Sequence, residues 1–255
     1  MLLKEMKDLY PPHILVYGEP GSGKTVLGLS GGSEVLCIDL DGGLKSGLTL
    51  QDGFSKQRLE VEVKDCVERN PKRPVAFDKA VSYIESFAND KERKHSILMI
   101  DSLTMLSEAC IAKVSFENNR LGQSLYEAHW GIIIRHMENL IWTIKAIPTV
   151  VYLTAHQMYY DVPTEGENDL TKTTILISGK KLPGKIIASF DELWYLKPRN
   201  IGAKVEIEIQ AFTSALVTAR TRSQLPKGTL TSLGLVEVLR RIGYEVGKEK
   251  KNALS

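Results

Sequence analysis

Residues Gly18, Glu19, Pro20, Gly21, Ser22, Gly23, Lys24 and Thr25 place glycines, a lysine and a hydroxyl at the spacing G-x-x-x-x-G-K-[ST]. That spacing suits the binding of a phosphate chain. Glycines let a loop wrap closely enough for its backbone N–H groups to face phosphate oxygens, and a helix that starts at the loop's end adds partial positive charge. Lys24 is placed to reach β- and γ-phosphates, and the Thr25 hydroxyl to ligate Mg²⁺. The expected nucleotide site therefore runs from Gly18 through Val26, with ATP as its nucleotide and Mg²⁺ as its metal. Asp101 closes the apolar run SILMI, where a carboxylate can hold the metal near the phosphates. Thr25 and Asp101 are thus the expected metal ligands, although an aspartate there can also cap the following helix. Hydrolysis also requires a group that orients the attacking water. Asp39 and Asp41 both end the run EVLCIDL and either can serve, while turn chemistry before Gly42 competes for both. His156 and Gln157 follow the run TVVYLT, at the edge where a polar pair can sense the γ-phosphate. Arg220 and Arg222 alternate in VTARTR and share one strand face, either as a solvated edge or as fingers reaching a neighbouring subunit's γ-phosphate.

These side chains need elements that bring them to one place. Residues 13–17 (HILVY), 34–40 (EVLCIDL), 96–100 (SILMI) and 149–154 (TVVYLT) are short apolar runs, as buried parallel strands require. Helical periodicity follows at residues 23–29, 77–87, 103–116 and 126–144, and Pro148 ends the last of these. Strands alternating with helices predict an α/β fold with a mostly parallel central sheet covered on both faces. ELWYL, VEIEIQ and SALVTART predict late strands with antiparallel partners, before a short helix over 233–242. The polar stretch 161–181 is too long for an ordinary connection and is expected to be a functional loop.

The chain has 255 residues, 43% hydrophobic and 25% charged, which favours one domain over residues 1–246. The charged tail 247–255 is expected to be disordered. A net charge of +2 rules out a uniformly basic nucleic-acid-binding face, so any such contact must come from local patches. The three cysteines lack disulfide or metal-ligand spacing and are expected to be reduced. Without a signal-peptide core or a membrane-spanning run, the expected location is the cytoplasm.

Taken together, these residues resemble the RecA-like P-loop NTPase core, and in particular compact phage-encoded RecA-like proteins. The resemblance runs from about His13 to about Pro226. IDLDG is similar to the recombinases' strand ending in a catalytic glutamate, which puts that role on Asp41; IDSLT resembles the family's metal-binding strand. TAHQ looks like its polar switch, with Gln157 sensing the γ-phosphate. The stretch from Met158 to Lys181 resembles the second DNA-binding loop, with Tyr159, Tyr160, Lys172, Lys180 and Lys181 as its contacts, and residues 116–124 resemble the first. ARTRSQLP is similar to the stretch that carries positive fingers across subunit interfaces. The resemblance implies an ATPase that hydrolyses ATP at the interfaces of a homo-oligomer, ring or filament. It also implies binding of single-stranded DNA in phage recombination by annealing or strand pairing, with a single-strand-binding protein as a further candidate partner. A ring helicase or helicase loader is the alternative. A small-molecule kinase ranks last, since residues 161–181 contain no arginine for a lid.

Overall fold

A strand covered on both faces must be apolar at every position, whereas a strand with one wet face alternates. The computed structural model describes residues 11–49, 55–163, 170–179, 182–201 and 204–246. In it β1 (His13–Gly18) and β2 (Val35–Asp39) are buried along their whole length. The short β3 (Glu62–Asp65) has no buried residue, and β4 (Ile97–Asp101) is again fully buried. β5 (Val150–Val162) starts buried and runs out into solvent, where it pairs with β6 (Leu170–Ile175). Then come β7 (Glu192–Ile201), β8 (Lys204–Gln210) and the two-residue β9 (Arg220–Thr221). The sheet order is β3-β2-β4-β5-β1-β7-β8, with β6 attached to β5 and β9 to β7. β1 pairs in parallel with β5 and β7, β2 with β3 and β4, and β4 with β5. The pairs β5–β6, β7–β8 and β7–β9 are antiparallel. The fold is α/β, mostly parallel with late antiparallel strands, as the sequence predicts.

Alternation along β1 splits the core in two. Leu15 and Tyr17 join the cluster built on α4 (Ala76–Asn89), α5 (Leu103–Glu117), α6 (Glu127–Lys145) and α7 (Leu182–Ser189). Ile14 and Val16 join the other, under α1 (Lys24–Leu29) and α8 (Leu235–Arg241). The short helices α2 (Lys45–Thr49) and α3 (Ser55–Leu59) lie between β2 and β3 in the chain. α4 shows why such segments are helical: Phe77, Ala80, Ile84 and Phe87 are buried at three- and four-residue spacing. α1 lies close on the sheet because Gly28 has no side chain; a Cβ there would meet Met99 Sδ at 2.6 Å and Tyr152 Cε1 at 2.8 Å. All three cysteines are free and buried, and burial pushes the Cys66 thiol up to about 11 and Cys110 up to about 12.

Three sequence expectations change. ELWYL does not have antiparallel partners alone: β7 also runs parallel to β1, and Leu193, Trp194 and Leu196 are all buried. SALVTART contributes only Arg220 and Thr221 to a strand. The polar loop expected from Met158 onward is a hairpin, because Tyr, Val and Thr suit a pleated ribbon even among polar neighbours. Lys180, Lys181 and the charged tail 247–255 lie outside the described residues. Among the described residues no helix is long and apolar enough to cross a membrane.

Candidate nucleotide-binding site

The loop leaves β1 at Gly18 and turns into α1 through Gly21 at φ +78° and Gly23 at φ +82°. Residues with a Cβ rarely adopt that left-handed region, and glycine enters it without strain. Inside the turn Ser22 N donates to the Glu19 carbonyl at 3.1 Å. Lys24 is buried, and its ammonium donates to the carbonyls of Gly18 at 2.9 Å and Glu19 at 2.8 Å. Burial lowers the Lys24 pKa, against the pull of Asp101 and Asp41. The ammonium also reaches Ser22 Oγ at 3.5 Å, and a cation held only by neutral oxygens can gain by exchanging them for phosphate oxygens. Glu19, Pro20 and Gly21 are exposed along the rim, and Val26 is half-buried on α1.

Parallel pairing brings the acids to the same edge. β2 and β4 align Asp39 with Asp101. Thr25 Oγ1 donates to Asp101 Oδ2 at 2.8 Å, and Thr154 Oγ1 donates to Asp101 Oδ1. Burial raises the Asp101 pKa, the two hydroxyls lower it, and nearby Asp41 and Asp39 add to the rise. The Thr25 hydroxyl and the Asp101 carboxylate are hard oxygen donors, a set that suits Mg²⁺, which keeps waters and phosphate oxygens in its shell. Among the described residues no cluster of three or more His, Cys, Asp or Glu could hold a metal by itself. A metal here would accordingly be shared with the phosphates.

The two remaining acids separate. Asp39 Oδ1 accepts the Gly42 N–H at 2.9 Å, a turn closure, and burial raises its pKa. Asp41 turns toward the neighbouring strand ends. Its Oδ1 accepts Ser102 Oγ at 2.8 Å and its Oδ2 lies 3.0 Å from His156 Nε2. Burial would raise the Asp41 pKa, but the hydrogen bonds of His156 and Ser102 and the charges of His156 and Lys24 outweigh it and hold it below the usual value. Ser102 also caps α5 by accepting Met105 N, and the peptide joining it to Asp101 is cis.

At the end of buried β5, His156 stands beside Gly18 in the register with β1. Gln157 Nε2 donates to Tyr159 Oη at 2.6 Å and approaches Glu19 Oε1 at 3.4 Å, while Tyr159 Oη donates to Glu19 Oε1 at 3.1 Å. Gln157 Oε1 is buried without a hydrogen-bond partner. A side chain of the loop is thus joined to the root of the β5–β6 hairpin. Successive residues of a strand face opposite ways, so Tyr159 and Tyr160 lie on different faces. Tyr160 is opposite Lys172 across the ribbon.

Arg220 and Arg222 are elsewhere. Arg220 aligns with Leu193 of β7, which aligns with Leu15 of β1, so both arginines lie toward the amino ends of the parallel strands. Arg220 Nη2 donates to the carbonyls of Ile187 and Phe190, and Arg222 pairs with Asp191 at 2.8 Å. Within the single chain each guanidinium is tied to the α7–β7 turn. The sequence points to His156 but not to its pairing with Asp41, and although Ser102, Thr154 and Glu19 stand in IDSLT, TAHQ and the phosphate loop, it gives their side chains no role of their own. Only the strand register brings these together.

The AAA domain family model matches residues 11–223. Among solved structures the chain is similar to the RadB recombinase, at 14% identity over 89% of this chain and 91% of that one, with a TM-score of 0.43. It is also similar to a KaiC-like protein from the hyperthermophilic archaeon Pyrococcus horikoshii OT3, at 14% identity over 78% and 76% of the two chains, with a TM-score of 0.44. No curated protein matches.

Proposed function

The chain belongs to the AAA domain family, and from that premise we propose that it is a Mg²⁺-dependent ATPase that binds single-stranded DNA and pairs or anneals strands in phage-type recombination. Gly18 to Val26 hold the triphosphate, with Lys24 moving from the loop carbonyls to the β- and γ-phosphates. Thr25 and Asp101 hold Mg²⁺, which when bound offsets the negative charge of the phosphates. Asp41 orients the water. The observation that carries the DNA reading is the side-chain path Glu19–Tyr159–Gln157, which joins the phosphate loop to an exposed hairpin. Through that path ATP binding sets the position of the hairpin. Tyr160 supplies a stacking face worth ~1–3 kcal/mol per base, and Lys172 on the opposite strand supplies charge for the backbone. The active oligomer is a ring or filament of identical chains, with a single-strand-binding protein as a further partner.

The test uses purified protein, labelled single strands and their complements. Tyr160→Ala should weaken binding at every salt concentration. Lys172→Ala should reduce the steepness of log affinity against log salt by about 0.7, the share of one phosphate contact. Unchanged affinity and slope in both variants would remove the hairpin from the DNA site. ATP-dependent unwinding of a tailed duplex, in place of annealing, would make the protein a motor.

A further inference from the structure

Building on the reading of Asp41 as the carboxylate that orients water, we infer that His156 is the positioning residue that holds Asp41 for that task. An ionised carboxylate can only accept hydrogen bonds, so the His156 nitrogen 3.0 Å from Asp41 Oδ2 must carry the proton. That nitrogen is Nε2. Ser102 pins the other oxygen at 2.8 Å, and one such bond alone would leave the carboxylate free to turn about its broad terminal torsion. Two donors from two strand ends fix its plane.

The imidazole is aimed by its backbone. His156 N–H donates to Thr104 Oγ1 at 2.9 Å, Thr104 Oγ1 donates to the Leu176 carbonyl at 2.8 Å, and the His156 carbonyl accepts Leu176 N at 2.7 Å. Both backbone groups of His156 are therefore held, by α5 and by the segment after β6. The side chain itself is 42% exposed, so the competing reading is a surface ion pair of little worth. Position argues against that reading: the pair stands beside Gly18, where the phosphate loop begins.

In the step it serves, the water oxygen bonds to the γ-phosphorus while the bond from that phosphorus to the bridging oxygen breaks, its electron pair leaving on ADP. The water proton passes to an Asp41 lone pair. His156 neither gains nor loses a proton; it keeps Asp41 oriented.

Steady-state turnover and equilibrium ATP binding, measured separately, test this. His156→Ala should lower turnover by roughly 10- to 100-fold, the range a hydrogen bond to a charged group supports, with ATP affinity unchanged. His156→Gln, which returns a neutral donor at similar reach, should regain part of the loss; with matching melting curves it also excludes a folding defect. Combining His156→Ala with Asp41→Asn should cost no more than Asp41→Asn alone, because the imidazole acts through the carboxylate. Additive losses would mean that His156 acts on the nucleotide directly, and normal turnover in His156→Ala would reduce the contact to a surface pair; either overturns the inference. If Asp41→Asn alone turns over normally, the reading of Asp41 has failed, and the inference with it.

Discussion

The two edges of the parallel strands carry the same kinds of residue and use them differently. At the carboxyl edge, side chains from three strand ends and the start of α1 meet: Thr25 with Asp101, Thr154 with Asp101, and Asp41 with Ser102 and His156. These groups keep unused capacity. Lys24 holds only neutral oxygens, Gln157 Oε1 has no partner, and burial disfavours the ionised form of Asp101. At the amino edge, fully buried Glu192 accepts Trp194 Nε1 and the backbone N–H groups of Arg222 and Ser223. Arg220 and Arg222 clasp the turn next to it, and Arg220 Nε is buried without a hydrogen-bond partner among the described residues. Charges tied up by neighbouring backbone and side chains hold a fold together, whereas charges left with spare bonding capacity at a loop can act on a ligand.

The largest effects should fall at the carboxyl edge. Lys24→Ala should lower turnover ~10²–10³-fold, the usual cost of removing one preorganised donor, without loss of the fold. Asp41→Asn should lose at least ~10²-fold, while Asp39→Asn, which can keep its turn bond, should stay near the parent. Steady-state hydrolysis beside thermal melting checks the set; reversed ranks for the two aspartates would exchange their assignments.

An intermediate effect, on stability, should mark the other edge. Arg220→Ala should destabilise the chain by about 1–3 kcal/mol in urea melts, and Arg222→Ala, a surface pair, by at most about 1 kcal/mol. Turnover per folded molecule should survive both changes. Lost turnover with intact stability, restored by mixing with the Lys24→Ala protein, would break the comparison and make these arginines fingers acting on a neighbouring subunit.

The smallest effect concerns Asp101 in metal-free buffer. Its folded pKa is raised above the unfolded value near 3.8, so the stability it contributes is complete below that value and is lost as pH rises through the folded pKa. Asp101→Asn removes the titration. The stability of the variant relative to the parent should therefore grow as pH rises from below 3.8 toward neutrality; a gap that narrows would mean that the charge is better accommodated than its burial implies.

The parallel strands were legible because burial on both faces leaves only apolar residues, as in HILVY and SILMI. The phosphate loop was legible because its glycines and lysine are adjacent in the chain. The hairpin was hidden by Asp161, Thr171 and Lys172, which look like loop residues until Tyr160 finds its partner across the ribbon. The pairing of Asp41 with His156 was hidden for another reason: 115 positions separate them, and only the alignment of β2 with β4 and of β4 with β5 brings the two strand ends together. The arginine clasp depends on the carbonyls of Ile187 and Phe190, which no sequence pattern announces.

β5 is a single strand of 13 residues, clamped between β1 and β4 at its start and paired only with β6 at its end. Mechanically it is a lever with its fulcrum at His156. The six residues beyond that point span about 20 Å at about 3.3 Å each, so a tilt of about 5° at the fulcrum displaces the tip by about 2 Å. A displacement of a fraction of an ångström at Tyr159, half-way along beside Glu19, would be about doubled at the far end of the ribbon, with no unfolding required.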